Sequence, residues 1–599
     1  MLTPDGRIVL AILAVALAAF AWGRVRPEIV AMGVVLALGL SGVATPAAAF
    51  SGFGDPVVVT IACLLIVSAA LERTGVATLA ARLLLRAVGS REAVLIVALM
   101  AVAGGLSGFM NLVGAAAILL PVALAVCRQT GISPSRLLMP LAIAARQGGS
   151  LTLIGKASNL MVSGLLVQAG YAPLSFFSFF PVGIAMLAAS IIFMATLGRR
   201  LLPARMPEGA MPPAGSRRDL LETYRLPERL FRIRVERGGA LDGKTIAQAS
   251  LGESFGMTVL AIARGKINTL APAPEELLRP GDVLMVEARP EEMERLRSLG
   301  PLAVEPEPAQ DRRALETHAV GLAEMLIAPR SDLAGKSLKE LEFRQRYGLN
   351  VVAVWRAGQP RRAWLADLEL QHGDALLLQG PRELIRSIGQ DPDFVSLDES
   401  PPLRTAQVPY ALLALGVVIL SGATGIVPVS LAAVLAAGIV VIGGCVGVTE
   451  APQVVDWPTV IVVGSLLPLG AALHTTGAAA AVAGALLPLA GDAPFTVLAA
   501  ICLATFVVGQ FVPAIPTTIL MAPIALSAAT ELGVNPVPFM ITVAAATSAT
   551  LLTPISHPIS MMVMVPGGYR FGDYARVGAP LALLLVATLL AVVVMVWRF

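Results

Sequence analysis

Two apolar runs of this chain are interrupted midway, and each interruption holds a side chain that can carry charge. GSLTLIGKASNLMV, at Gly149–Val162, holds Lys156, and LLTPISHPISMMV, at Leu551–Val563, holds His557. Gly155 and Pro554 open the backbone there, and Ser158, Asn159, Thr553 and Ser560 are the small polar residues around the two openings. A break at mid-depth exposes amides and carbonyls, which a bilayer tolerates only where they line a protected cavity. Transport proteins use such broken helices to aim helix ends and bare backbone at a solute near the midplane. A chargeable group at that depth is a functional candidate by default. Lys156 either places a fixed ammonium beside the first break, replacing a bound cation, or snorkels to an interface. His557 is either a cation when protonated, titrating near neutral pH, or a neutral hydrogen-bonding imidazole. Two cationic tips facing one cavity would favour an anion and allow proton coupling. Arg146, just before Gly148-Gly149, is a third intramembrane charge, expected to pair with Glu72 or a hairpin carbonyl.

The two stretches are copies. Thr152 matches Thr553 at a shift of 401 residues, and Ile154, Lys156, Met161 and Val162 then meet Ile555, His557, Met562 and Val563. Upstream the shift is 402: Pro56 meets Pro458, Leu71 meets Leu473, Gly75 meets Gly477 and Pro121 meets Pro523. A near-constant offset that keeps Pro and Gly as well as apolar residues is an internal repeat.

The elements that must hold these stretches follow from composition. Of 599 residues, 56% are hydrophobic and 14% charged, against about 25% charged in soluble domains. The expected class is a polytopic α-helical membrane protein. Apolar runs near 7–22, 28–45, 56–73, 92–128, 137–170 and 180–198 fill the first half, 1–203. Runs near 408–422, 428–447, 458–473, 494–528, 536–565 and 577–597 fill the second, 406–599. Basic loops mark the cytoplasmic side. They are consistent only if 92–128 and 494–528 are re-entrant hairpins, which predicts five crossings per half, inverted repeats and periplasmic termini in an inner membrane. The first run leads into WGRVRPE without a clear cleavage site and reads as a retained span. Residues 77–88 set Arg82 and Arg86 on one face of a predicted surface helix. The four Cys (63, 127, 445 and 502) lie in apolar runs and read as packing residues, as do Met561, Met562 and Met564. There is no nucleophile-base pair or hydrolase elbow, and basic residues are too scattered for a nucleic-acid surface.

Between the halves the composition turns soluble. A linker at 204–229 leads to two similar modules, 230–300 and 320–395. In each, a strand precedes a Gly-turn, a short helix, a strand and another strand opened by Gly281-Asp282 or Gly373-Asp374. These Asp residues read as turn formers. The elements Leu241–Thr245 and Leu333–Ser337 (L-x-G-K-[ST]) resemble those of TrkA-C domains, the C-terminal half of RCK regulators. That resemblance implies a role in dimer formation or in binding a small regulatory ligand. No GxGxxG follows a strand, so a nucleotide-binding partner domain is not expected.

FSGFGDPVVVTIACLLIVSAALERTG, LTLIGKASNLMVSGLL, VDWPTVIVVGSLLPLGAALHTTG and VPGGYRFGDYARVGAPL together resemble the divalent-anion/sodium symporter family, in its bacterial branch with inserted TrkA-C domains. The resemblance implies a scaffold, a moving transport domain working as an elevator, a homodimer in the lipid bilayer, and no cofactor beyond Na+ or H+ as coupling ion. It implies a small anion, such as sulfate or a dicarboxylate, held by Asn111, Gly155, Lys156, Ser158, Asn159, Thr553, Pro554, His557 and Ser560. The coupling ion would lie among Ser107, Asn111, Gly155, Thr553 and His557. The chain departs from the family at the hairpin tips. Only Asn111 is polar in Met110–Gly114, and Val512–Pro516 holds no side-chain ligand. Lys156 stands where relatives carry Thr or Ser, and Ile559-Ser560 where they carry Thr-Asn. The expected function is secondary active transport rather than enzymatic turnover. The alternatives are a ligand-gated channel controlled by the TrkA-C pair, or a sensor that has lost transport.

Overall fold

A computed structural model describes residues 3–22, 25–76, 91–205, 230–239, 241–249, 251, 257–264, 267–270, 272, 275–287, 303–306, 320–327, 331, 333–356, 359–361, 365–371, 374–389, 391, 393–396, 403–491, 493–564 and 566–597. Residues 206–229 of the 204–229 linker, the predicted surface helix at 77–88 and Gly373 lie outside these residues. The chain divides into two units, 1–205 with 402–599, and 206–401.

In the helical unit the first half runs α1 (Pro4–Trp22), α2 (Pro27–Leu40), α3 (Pro56–Thr74), α4 (Glu92–Ser107), α5 (Leu112–Thr130), α6 (Pro134–Gly148), α7 (Ala157–Gln168) and α8 (Phe180–Phe193). The second runs α9 (Val408–Thr424), α10 (Val429–Ile442), α11 (Trp457–Thr475), α12 (Ala478–Ala490), α13 (Pro494–Val508), α14 (Ala514–Glu531), α15 (Val537–Ala546), α16 (Pro558–Met564) and α17 (Phe571–Val596).

The repeated Pro and Gly sit at matching boundaries for local reasons. Pro56 and Pro458 occupy the first turns of α3 and α11, where a missing N–H costs nothing. Each helix is capped by an aspartate: Asp55 accepts from Val57 N–H and Asp456 from Thr459 N–H. Gly75 and Gly477 follow the helix ends at φ 78° and 72°, a left-handed backbone that a side chain would strain. Pro121 and Pro523 lie inside α5 and α14, the second arms of the two hairpins. Helix α12, AAAAVAGALLPLA, falls between the apolar runs read near 458–473 and 494–528 and was not among them. Its position matches residues 77–88 at the upstream shift of 402.

Among the described residues seven helices are long and apolar enough to cross a bilayer. The shorter apolar helices include α4, α7, α13 and α15, members of the hairpins and the interrupted pairs.

The second unit holds two antiparallel five-stranded sheets. The first has order β3-β2-β4-β1-β5, from β1 (Leu230–Arg234), β2 (Thr258–Arg264), β3 (Ile267–Leu270), β4 (Val283–Glu287) and β5 (Ala303–Pro306). The second repeats that order as β8-β7-β9-β6-β10, from β6 (Val320–Ile327), β7 (Asn350–Arg356), β8 (Gln359–Arg361), β9 (Ala375–Pro381) and β10 (Phe394–Ser396). In the L-x-G-K-[ST] elements, Thr245 and Ser337 form reciprocal caps with Gln248 and Glu340. Asp282 accepts from Arg279 N–H and Asp374 from Gln371 N–H, which is the turn-forming role. Each also takes two bonds from an arginine, Arg264 at 2.9 and 2.8 Å and Arg356 at 2.8 and 2.6 Å. Bonding from Arg264 holds the Asp282 carboxyl below its ordinary range.

Candidate functional site

Both interruptions form where helices cannot continue. After Gly148 the chain turns back through Thr152–Lys156, with Gly155 so close to Gly149 that a Cβ would fall 2.5 Å from Gly149 O. After α15 the chain passes through a turn at Thr547–Ala549 and another at Pro554–Ser556 before α16. The last helix of each half presses a glycine on the opened backbone. A Cβ on Gly183 of α8 would lie 2.1 Å from Ser150 O, and one on Gly578 of α17 would lie 2.2 Å from Leu551 O. The hairpins reach the same places. Thr152 Oγ1 donates to Gly108 O at the first tip. At the second, Thr553 Oγ1 donates to Gln510 O at 3.4 Å and Leu552 N donates to Gln510 Oε1 at 3.3 Å.

The interruptions are also bonded to each other. Gln147 Nε2 donates to Ser548 O at 3.0 Å, and the hydroxyls of Ser150 and Ser548 lie 3.2 Å apart. Arg146, 2% exposed, donates to Thr550 Oγ1 at 2.7 Å and to Ser556 Oγ at 3.3 Å. This corrects the expected pairing with Glu72 or a hairpin carbonyl. Glu72 instead lies against Gly114 at the start of α5, and its neighbour Arg73 pairs with Glu450. Lys156 Nζ donates to Ala544 O at 2.6 Å, Ser548 Oγ at 2.6 Å and Thr547 Oγ1 at 3.3 Å. Its ammonium therefore sits in the second break, not beside the first as expected. A lysine has no acceptor with which to cap α7, so its side chain is free to reach the end of α15 instead.

The remaining candidates divide by what their atoms already do. His557 Nδ1 accepts from Ile559 N–H at 3.3 Å, capping α16. Asn111 Oδ1 caps α5 by accepting from Val113 N–H, and Asn111 N donates to Ser68 Oγ. Asn159 donates to Gly149 O and Thr152 O and so ties the first break into a loop. Its Oδ1, Ser107 Oγ and Gln147 Oε1 are buried without a hydrogen-bond partner. Ser158 is buried on the first turn of α7. Ser560 O accepts from Tyr574 OH at 2.5 Å. Near the start of α6, Tyr569 OH donates to Ser135 O at 2.6 Å and accepts from Met139 N at 2.8 Å, inserting into the helix ladder.

Gln147, Gln510, Ser548, Thr550 and Tyr569 were missed from sequence. Gln147 and Gln510 gave a usable signal: an amide inside an apolar run needs a partner at depth. Ser548 and Thr550 lie just outside the second motif, and nothing local marks their contacts.

Helices in two matched sets, each with an interrupted member bonded to the other set's, define a membrane permease. The chain belongs to the citrate transporter family, CitMHS, whose model matches residues 17–544 and 483–599. It is 35% identical to the uncharacterized transporter YfbS of Escherichia coli, over 99% of each chain. It is 31% identical to an uncharacterized transporter of Synechocystis, over 96% of this chain and 95% of that one. Sodium/sulfate cotransporter 2 of Chlamydomonas reinhardtii is 24% identical over 58% of this chain and 41% of its own length. These relatives agree with the divalent-anion/sodium symporter type read from the motifs. Together with the seven apolar helices they make the chain a multi-pass membrane transporter.

Proposed function

We propose that this protein is a secondary active transporter of a small anion, sulfate or a dicarboxylate, working by elevator-type alternating access. The observation that carries the reading is the junction of the two breaks, where Arg146 and Lys156 bring two cationic groups among opened backbone and hydroxyls. Arg146 Nε is buried there without a hydrogen-bond partner, and a charged donor in a low-dielectric setting attracts an anion strongly. The likeness to a sodium/sulfate cotransporter supports sulfate and Na+ coupling. The buried acceptors Ser107 Oγ and Asn159 Oδ1 support a cation at the first break, since Na+ prefers hard oxygen ligands. Matching helix boundaries at a near-constant shift support inverted repeats. A homodimer in the inner membrane, periplasmic termini and control by the two cytoplasmic TrkA-C modules complete the proposal. The test is uptake of radiolabelled sulfate, succinate and citrate into proteoliposomes, with a Na+ gradient and a pH gradient imposed separately. Saturable uptake against a gradient is expected for one of these anions. Flux that only equilibrates the anion would make the protein a passive pathway.

A further inference from the structure

The repeat pairs Lys156 with His557, yet the two side chains do different work. His557 Nδ1 turns to the backbone of its own helix, accepting from Ile559 N–H. Lys156 leaves its own helix and enters a cluster of three oxygens, Ala544 O, Thr547 Oγ1 and Ser548 Oγ. One is a carbonyl near the C-terminal end of α15, where backbone dipoles concentrate negative potential. Such a cluster of hard oxygens at a negative helix end is what a small monovalent metal ion seeks. At the first break the situation is reversed: Ser107 Oγ, Gln147 Oε1 and Asn159 Oδ1 are buried and receive no donor.

We infer that the Lys156 ammonium is a resident cation of the second break, standing where a monovalent metal ion would otherwise bind, so that a transport cycle takes up its coupling ion at the first break alone. This rests on the transporter reading and adds its stoichiometry. The tethered charge does not leave with the substrate. It keeps the second break compensated in every state of the cycle, and only the first break senses external cation.

The test uses the purified full-length protein, with thermal unfolding followed in NaCl, methylammonium chloride and choline chloride. Ser is a favoured residue at the start of a helix, so Lys156→Ser removes the ammonium while supplying a cap for α7. Wild type should respond to Na+ with a Hill slope of about one. K156S should melt several degrees lower in choline, recover in Na+ or methylammonium, and respond to Na+ more steeply than wild type. K156M, whose apolar stem fills the space, should recover in neither. A K156S protein whose salt response parallels that of wild type overturns the inference, and so does one that stays unfolded in every salt. Uptake by wild-type protein is measured in parallel. Its absence would end the transporter reading and leave the melting result standing, whereas cation-indifferent K156S would end this inference and leave uptake intact.

Discussion

Around the first break three side-chain oxygens, on Ser107 at the end of α4, Gln147 at the end of α6 and Asn159 in α7, are buried and meet no donor. At the end of α15, Ala544 O, Thr547 Oγ1, Ser548 Oγ and Thr550 Oγ1 receive hydrogens from Lys156 or Arg146. Both regions carry the same interrupted motif, and the helices around them start and stop at matching residues. The difference teaches that a repeated backbone need not repeat its chemistry. Both cations belong to the first copy, and both reach into the second. One break is left rich in acceptors and the other is supplied with donors, a division suited to holding unlike ions side by side.

Four experiments would break or sharpen that contrast. The largest effect is expected from Arg146→Met, which removes a buried donor pair from Thr550 and Ser556. Anion uptake should fall about 100-fold or more, with loss of anion-dependent thermal stabilisation. Arg146→Lys should remain impaired, because one ammonium does not reproduce the planar fork. Wild-type rates in R146M would erase the distinction between the breaks. Next, Ser107→Ala removes an acceptor that makes no bond in the fold. The Na+ concentration for half-maximal uptake should rise about tenfold, equivalent to about 1.4 kcal/mol, with the rate at saturating Na+ unchanged. An unchanged Na+ curve would place the coupling ion elsewhere.

A smaller effect is expected for Gln510→Ala, which strips an acceptor from Leu552 N–H at the second tip. The loss should be about 1 kcal/mol of stability, read as a lowered melting temperature, with Na+ affinity unaffected. A shift in Na+ affinity would show the two tips to be coupled. The smallest effect on transport should come from Asp282. Its carboxyl lies below the ordinary range because of its bond from Arg264. A carboxyl so lowered contributes stability above its unfolded value, near 3.9, and loses it as pH falls through the folded value. Amide exchange in β4 should therefore accelerate below about pH 4 in wild type. In Asp282→Asn exchange should be faster at neutral pH and should lose that acid dependence, while uptake at pH 7 is unaltered.

How much of this was legible follows from the range of each interaction. Helix limits at Pro56, Gly75, Pro458 and Gly477 are local events, and composition announces them. The turn role of Asp282 and Asp374 was legible for the same reason, being a bond to a backbone three residues away. Their arginine partners were not read, although Arg264 and Arg356 repeat at the same 92-residue spacing as the aspartates. The two breaks were visible, but the destinations of Arg146 and Lys156 were not. Those contacts join residues some 400 positions apart, and a side chain's reach across a packed interface leaves no trace in spacing. Helix α12 was missed because a run of alanines without charge carries no amphipathic signal.

The tyrosine seated in the first turn of α6 has a consequence for biosynthesis. Met139 N–H and Ser135 O are bridged by the hydroxyl of Tyr569, a residue 430 positions further along the chain. A ribosome will have released the whole first half, the inserted unit and most of the second half before that hydroxyl exists. Until then the first turn of α6 lacks its bridging oxygen. Completion of an early helix is thereby deferred to the last stage of translation.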